Sequence, residues 1–170
     1  MSRAERETEF REYMLGRWPS LVRFAYGLTG DRGLAEDLVQ TALVKVFVSW
    51  TRVWRADDPD AYVRRMLINA NHGRFRKRRV AEKTGGALPE VAVADPTDEL
   101  DRRSALVAAL MELPVKQRAV VVMRYWEGLT EAQTAAVLGC SVGNVKSQAS
   151  RALVKLRGSA QLQDWSVRCD

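Results

Sequence analysis

Asn144, Gln148, Arg151 and Lys155 recur at steps of four, three and four, in a stretch from Val142 to Arg157 that has no carboxylate. On a helix this spacing puts two amides, a guanidinium and an ammonium group on one face. Ser147 and Lys146 lie beside them. None of these groups is poised to break a covalent bond. A carboxamide can pair with an adenine edge, and a guanidinium with guanine or a phosphate. The chemistry on offer is recognition of a nucleic acid. The plainer alternative is a solvated basic face on a helical hairpin.

The residues before this face favour recognition. Thr130 is a good N-cap for a short helix over Glu131 to Leu138, in which Ala135, Ala136 and Leu138 are small or apolar packing positions. Gly139 can take the left-handed conformation of a sharp turn, and Ser141 caps the second helix. The inner stripe of that helix is Val145, Ala149, Ala152, Leu153 and Leu156. Cap, glycine turn, small residues and polar outer face together make a helix-turn-helix, whose second helix enters the major groove.

A second basic element spans residues 61–79, with seven Lys or Arg and no acid. Arg65, Asn69, His72, Arg76 and Arg79 share one helix face, and Val63, Met66, Leu67 and Ala70 form an apolar side. A cationic stripe carrying an amide and an imidazole suits a phosphate backbone with bases close by. Trp50, Trp54 and Tyr62 surround the start of this helix; Trp50 is expected in the core, and Trp54 either packs at its rim or stacks on an unpaired base.

These faces need elements to hold them. The 170 residues carry a formal net charge of +6, which favours a polyanionic partner. Cys140 and Cys169 form no CxxC pair, and His72 is the only histidine, which argues against a zinc site or a disulfide framework. No metal or cofactor is expected. The charged start and the lack of a long apolar run argue against a secretory signal and a membrane span, so a reduced, cytoplasmic setting is the natural expectation.

Helical periodicity covers almost every segment. Helices are expected from about Arg6 to Leu28, from an Asp31 cap to about Trp50, and from an Asp58 cap with Pro59 to about Arg79. Residues 81–101 carry Gly-Gly, two prolines and six acidic side chains, as a flexible acidic linker would. Helices return from Arg102, and Gly128 closes the one that Pro114 opens. The predicted fold is all-α: two small helical domains, 1–80 and 102–170, joined by the linker 81–101, each able to close a small core.

Without any family likeness, the residues leave two readings open. One is a stand-alone helix-turn-helix regulator whose first domain senses or dimerises. The other is an RNA-binding or membrane-surface basic protein, which fits the charge but leaves the helix-turn-helix unexplained.

Nearly the whole chain resembles the extracytoplasmic-function (ECF) group of bacterial sigma-70 factors, in a style similar to the actinobacterial SigE-like members. "LAEDLVQTALVKVF" resembles the helix of sigma domain 2 that binds core polymerase. "DPDAYVRRMLINANHGRFRKRR" resembles the segment that opens and reads the −10 element. "LPVKQRAVVVMRYWEGLTEAQTAAVLGCSVGNVKSQASRALVKLR" resembles sigma domain 4, the −35 reader.

The resemblance implies a specificity subunit and not an enzyme. It puts Asp37, Gln40 and Thr41 at polymerase contacts. The face from Arg65 to Arg79 falls at the −10 region, and Asn144, Lys146, Ser147, Gln148, Arg151 and Lys155 at the −35 duplex. Thr41 stands where the family often has glutamate, Leu43 where it has phenylalanine, and Gln148 where an arginine is frequent after "VKS". The implied partners are core RNA polymerase, through its β′ clamp helices and β flap, promoter DNA, and an anti-sigma factor of the kind that restrains many relatives.

Overall fold

The computed structural model describes residues 2–85 and 98–167. Glu90 and Asp95 of the predicted linker, and Cys169, lie outside the described residues. Among the described residues all regular structure is helical. In the first domain α1 is Arg3–Thr29, α2 Arg32–Val48, α3 Trp50–Trp54 and α4 Pro59–Lys83. In the second, α5 is Asp98–Glu112, α6 Val115–Val121, α7 Glu131–Leu138, α8 Val142–Arg157 and α9 Ala160–Val167. Helix therefore reaches into both ends of the stretch 81–101.

Local chemistry explains most boundaries. Asp31 Oδ1 accepts from the Leu34 amide at 2.8 Å, and Asp58 Oδ1 from the Ala61 amide at 2.9 Å. Each carboxylate satisfies a first-turn donor and faces the positive end of the helix dipole. Pro59 occupies the first turn of α4, where no amide donor is missed.

Two elements differ from the sequence expectation. The second helix stops at Val48, and Trp50–Trp54 forms its own short helix, because Trp50 turns inward to pack at 5.2 Å on Phe10 and 5.1 Å on Tyr13. The helix after Pro114 does not run evenly to Gly128: Val122–Trp126 is a π turn, and the Glu127 amide donates to the Val122 carbonyl, five residues back, at 2.9 Å. The tail carries α9, whose base is fixed where Ser159 Oγ donates to Glu112 at 3.1 Å.

The larger departure concerns the core. Each domain was expected to close its own. The second keeps a small cluster of its own, Val120, Ala135, Val145 and Ala149, but a larger continuous cluster joins Phe24, Leu28, Val39, Trp50 and Leu67 to Leu110, Leu113, Val122 and Met123. The domains are packed together. Gly27 makes the approach possible, since a Cβ there would lie 3.0 Å from Val122 Cγ1. Gly27→Ile should wedge α1 away from the π turn and cost about 1–3 kcal/mol. Thermal melting with small-angle scattering checks this; an unchanged melting point would show that the two surfaces do not bear on each other.

Candidate nucleic-acid interface and polymerase-facing helix

The helix-turn-helix is built from its caps outward. Thr130 Oγ1 accepts from the Gln133 amide at 3.1 Å while Gln133 Oε1 accepts from the Thr130 amide at 2.8 Å, a closed capping box. Gly139 has φ 66°, the left-handed turn expected of it, and Ser141 Oγ accepts from the Asn144 amide at 3.1 Å. Val145, Ala149, Ala152 and Leu156 are buried as expected, with Leu153 half-buried. Asn144, Lys146, Ser147, Arg151 and Lys155 are exposed, whereas Gln148 is half-buried. Lys146 Nζ also reaches Glu131 on α7 at 3.7 Å, a surface pair of small energetic weight.

On α4, Arg65, Asn69, Arg76 and Arg79 are exposed and His72 is half-buried. The buried side is Val63, Leu67, Ile68 and Asn71. Asn71 was not expected there; its amide oxygen accepts from Arg74 at 3.2 Å. Trp54 packs beside Trp50 at 5.6 Å and stays half-open to solvent.

The two basic faces do not stand apart. Arg65, Asn69 and His72 of α4 line the same cavity as Asn144 and Gln148 of α8. A Cβ on Gly139 would lie 3.3 Å from Arg65 Nη2, so the arginine rests against the helix-turn-helix turn. Arg76, Arg79, Lys146, Ser147, Arg151 and Lys155 are not among the lining residues.

Charged groups hold this closed arrangement. Arg118 is buried and donates to four carbonyls: Leu28 at 2.9 Å, Leu110 at 2.9 Å, Met111 at 3.1 Å and Leu113 at 3.1 Å. Leu28 belongs to the first domain and the other three to the second. Burial, with Arg74 nearby, pulls the Arg118 guanidinium down to about 10, still well above neutrality. Glu127, its side chain 6% exposed, sits between Arg23 and Arg64 of the first domain, each at 3.5 Å. No periodicity marks Arg118 or Glu127 for this role. The signal for Arg118 was a cation immediately before the apolar run "AVVVM".

Burial, and after it Lys116 and Arg76, lowers the His72 pKa from its ordinary 6.5. For a base the sign is direct: protonation favours the open or unfolded chain. The stabilising contribution is complete above pH 6.5 and is lost as pH falls below it. His72→Gln should therefore flatten the drop in melting temperature between about pH 7.5 and pH 5.5 relative to the parent. Equal slopes would mean that His72 is not the group responsible.

A third surface is α2. Asp37, Gln40 and Thr41 are exposed on one face. The same stripe continues to Val44, 67% exposed, and Val48, 80% exposed, neither of which stands out in the sequence. Leu38, Val39, Leu43 and Val46 are buried opposite. Apolar residues on both sides of α2 were the available signal, since a helix covered on one face alone needs only one such stripe.

Comparison with known proteins decides among the readings. Residues 18–80 match the family described as Sigma-70 region 2, and residues 103–156 the family described as Sigma-70, region 4. The RNA polymerase sigma-E factor of Streptomyces avermitilis is 40% identical over 160 residues, covering 94% of this chain and 89% of its own length. This chain belongs to the ECF group of sigma-70 RNA polymerase sigma factors. A further relative, the ECF RNA polymerase sigma factor EcfG of Rhodopseudomonas palustris, is 32% identical over 149 residues, covering 86% of this chain and 82% of its own length. Among solved structures, the sigma factor RpoE of Bartonella quintana in complex with the anti-sigma factor NepR superposes with TM-score 0.75 at 28% identity, covering 91% of this chain and 97% of that one.

As a sigma factor the chain is an initiation factor and not an enzyme. It works with core RNA polymerase to direct promoter recognition and transcription initiation. The region 2 match accounts for the first domain, which a stand-alone regulator would leave as an unspecified sensor. No described helix is long and apolar enough to cross a membrane.

Proposed function

We propose a division of labour within this sigma factor. The α2 stripe Asp37, Gln40, Thr41, Val44 and Val48 docks on the β′ clamp helices of core polymerase. The outer face of α8, from Asn144 to Lys155, holds the −35 duplex. The α4 face, from Arg65 to Arg79, holds the −10 region while a base is flipped out, a step costing a few kcal/mol that stacking and phosphate contacts offset. Residues 81–101 serve as the tether between domains 1–80 and 102–170. The setting is cytoplasmic, where polymerase and promoter are found.

One observation carries this reading: α2 leaves two large apolar side chains in water on the stripe that also holds Asp37, Gln40 and Thr41, and both basic faces lie on other helices. An exposed apolar stripe is a protein-docking surface, whereas uncompensated cationic faces suit DNA.

The closed arrangement is not the one that reads a promoter. Elements centred about 25 base pairs apart lie about 85 Å apart along B-DNA at 3.4 Å per pair. Arg65 and Gln148 line one cavity, so the two domains have to part for both elements to be held together. Polymerase, by taking α2, would favour the parted state through its higher affinity for it. We also infer an anti-sigma partner that favours the closed state, on the likeness to the NepR-bound RpoE.

The test is run-off transcription from a promoter library with purified core polymerase, with and without this protein. Initiation that depends on the protein, at a shared two-part motif, supports the assignment. Promoter binding by the protein alone, without initiation, would overturn it.

A further inference from the structure

The cavity between the two basic faces measures about 250 Å³. Val120, Val137 and Val145 give it an apolar floor. Arg65, Lys116 and His72 bring positive or polar nitrogen to it, and Asn69, Asn144 and Gln148 bring amides. No carboxylate is among its lining residues. Arg65 and Lys116 take part in no ion pair among the described residues. His72 Nε2 is buried without a hydrogen-bond partner.

Arg65 and Lys116 are exposed side chains that reach the cavity with no carboxylate among its lining residues, and the His72 Nε2 beside them is buried and unpaired. Duplex DNA would satisfy Arg65, Asn144 and Gln148 in the parted state, but a duplex about 20 Å across does not enter a 250 Å³ space. A small ligand does. The volume corresponds to roughly eight waters, just below the usual range of small-molecule pockets.

We propose that the closed state binds a small ligand of the nucleoside monophosphate class in this cavity, and that the ligand holds the two domains together against promoter binding. Arg65 and Lys116 pair with the phosphate. Asn144 and Gln148 meet the hydrogen-bonding edge of the base, as a carboxamide meets adenine. The valine floor takes the flat face of the ring. A ligand that binds only the closed state shifts the equilibrium by its own saturation and disfavours polymerase capture. The inference rests on the assignment of the α4 and α8 faces to DNA.

Lys116 separates the two, because it lines the cavity and lies on neither DNA face. The experiment is calorimetric titration of the full chain with adenosine monophosphate and, separately, inorganic phosphate, for the parent and Lys116→Gln. Cys140, which also lines the cavity, reports occupancy through its alkylation rate in a Cys169→Ser background. Adenosine monophosphate should saturate one site, slow Cys140 alkylation about tenfold and bind at least about tenfold tighter than phosphate. Lys116→Gln should weaken it about tenfold, as loss of a charge-assisted contact does, with −35 duplex affinity kept within about twofold. No saturation at millimolar nucleotide, or binding that ignores Lys116→Gln and leaves Cys140 equally reactive, overturns the proposal. Equal affinity for phosphate and nucleotide marks a bare anion site and overturns the ligand class. Holoenzyme binding to promoter without added nucleotide tests the assignment underneath: if it persists while the nucleotide fails, only the cavity inference falls.

Discussion

Arg118→Met is expected to cost the folded chain about 3–5 kcal/mol, which for a chain of this size lowers the melting temperature by about 6–20 °C. The reason is asymmetric. The guanidinium satisfies four carbonyls at 2.9–3.1 Å, and the substitution removes the donors while leaving the acceptors buried. The Leu110 carbonyl keeps a bond from the Leu113 amide at 3.1 Å, whereas those of Leu28, Met111 and Leu113 lose this donor and keep their desolvation cost. Methionine fills comparable volume, so the loss reports hydrogen bonding more than a void. Arg118→Lys keeps the charge but not the fork that reaches four acceptors, and should fall between the two. Because one acceptor is Leu28 in the first domain, both domains should lose protection from hydrogen exchange. A melting point within about 2 °C of the parent would sink this account of the domain interface.

Asp37→Lys combined with Val44→Glu is expected to weaken association with core polymerase about a thousandfold, at roughly 2 kcal/mol for each of two interface anchors. Both side chains are exposed, so melting temperature and helix content should not change. Binding of the −35 duplex, assigned to α8, should not change either. The measurement pairs a polymerase pull-down or titration with duplex binding on the same preparation. Unaltered polymerase affinity would remove α2 as the docking helix; a parallel loss of duplex binding would mean that the substitutions act through the fold.

Much of the local structure was legible because its causes lie within a few residues of each other. Asp31, Asp58, Thr130 and Ser141 each cap the helix expected of them, since a cap needs only an oxygen three residues before an amide. The recognition helix runs over Val142–Arg157 as its apolar period requires. Val44 and Val48 escaped notice because apolar character alone does not say which face of a helix finds a partner within the chain. Asn71 escaped because a buried amide is paired by a neighbour, Arg74, that composition cannot single out. The π turn at Val122–Trp126 was hidden for a related reason: one extra residue in a turn leaves the apolar period nearly intact.

By itself the sequence determined the helices, the helix-turn-helix, the two cationic faces and the likeness to ECF sigma factors, all written in short-range spacing or contiguous motifs. Only the tertiary structure decided that a continuous apolar cluster crosses between the two domains and that their basic faces turn onto a common cavity. That outcome depends on pairs far apart in the chain. Arg118 meets Leu28 across 90 residues, and Arg64 meets Glu127 across 63. No periodicity records such pairs, because they are chosen by shape and by where a buried charge finds its acceptors.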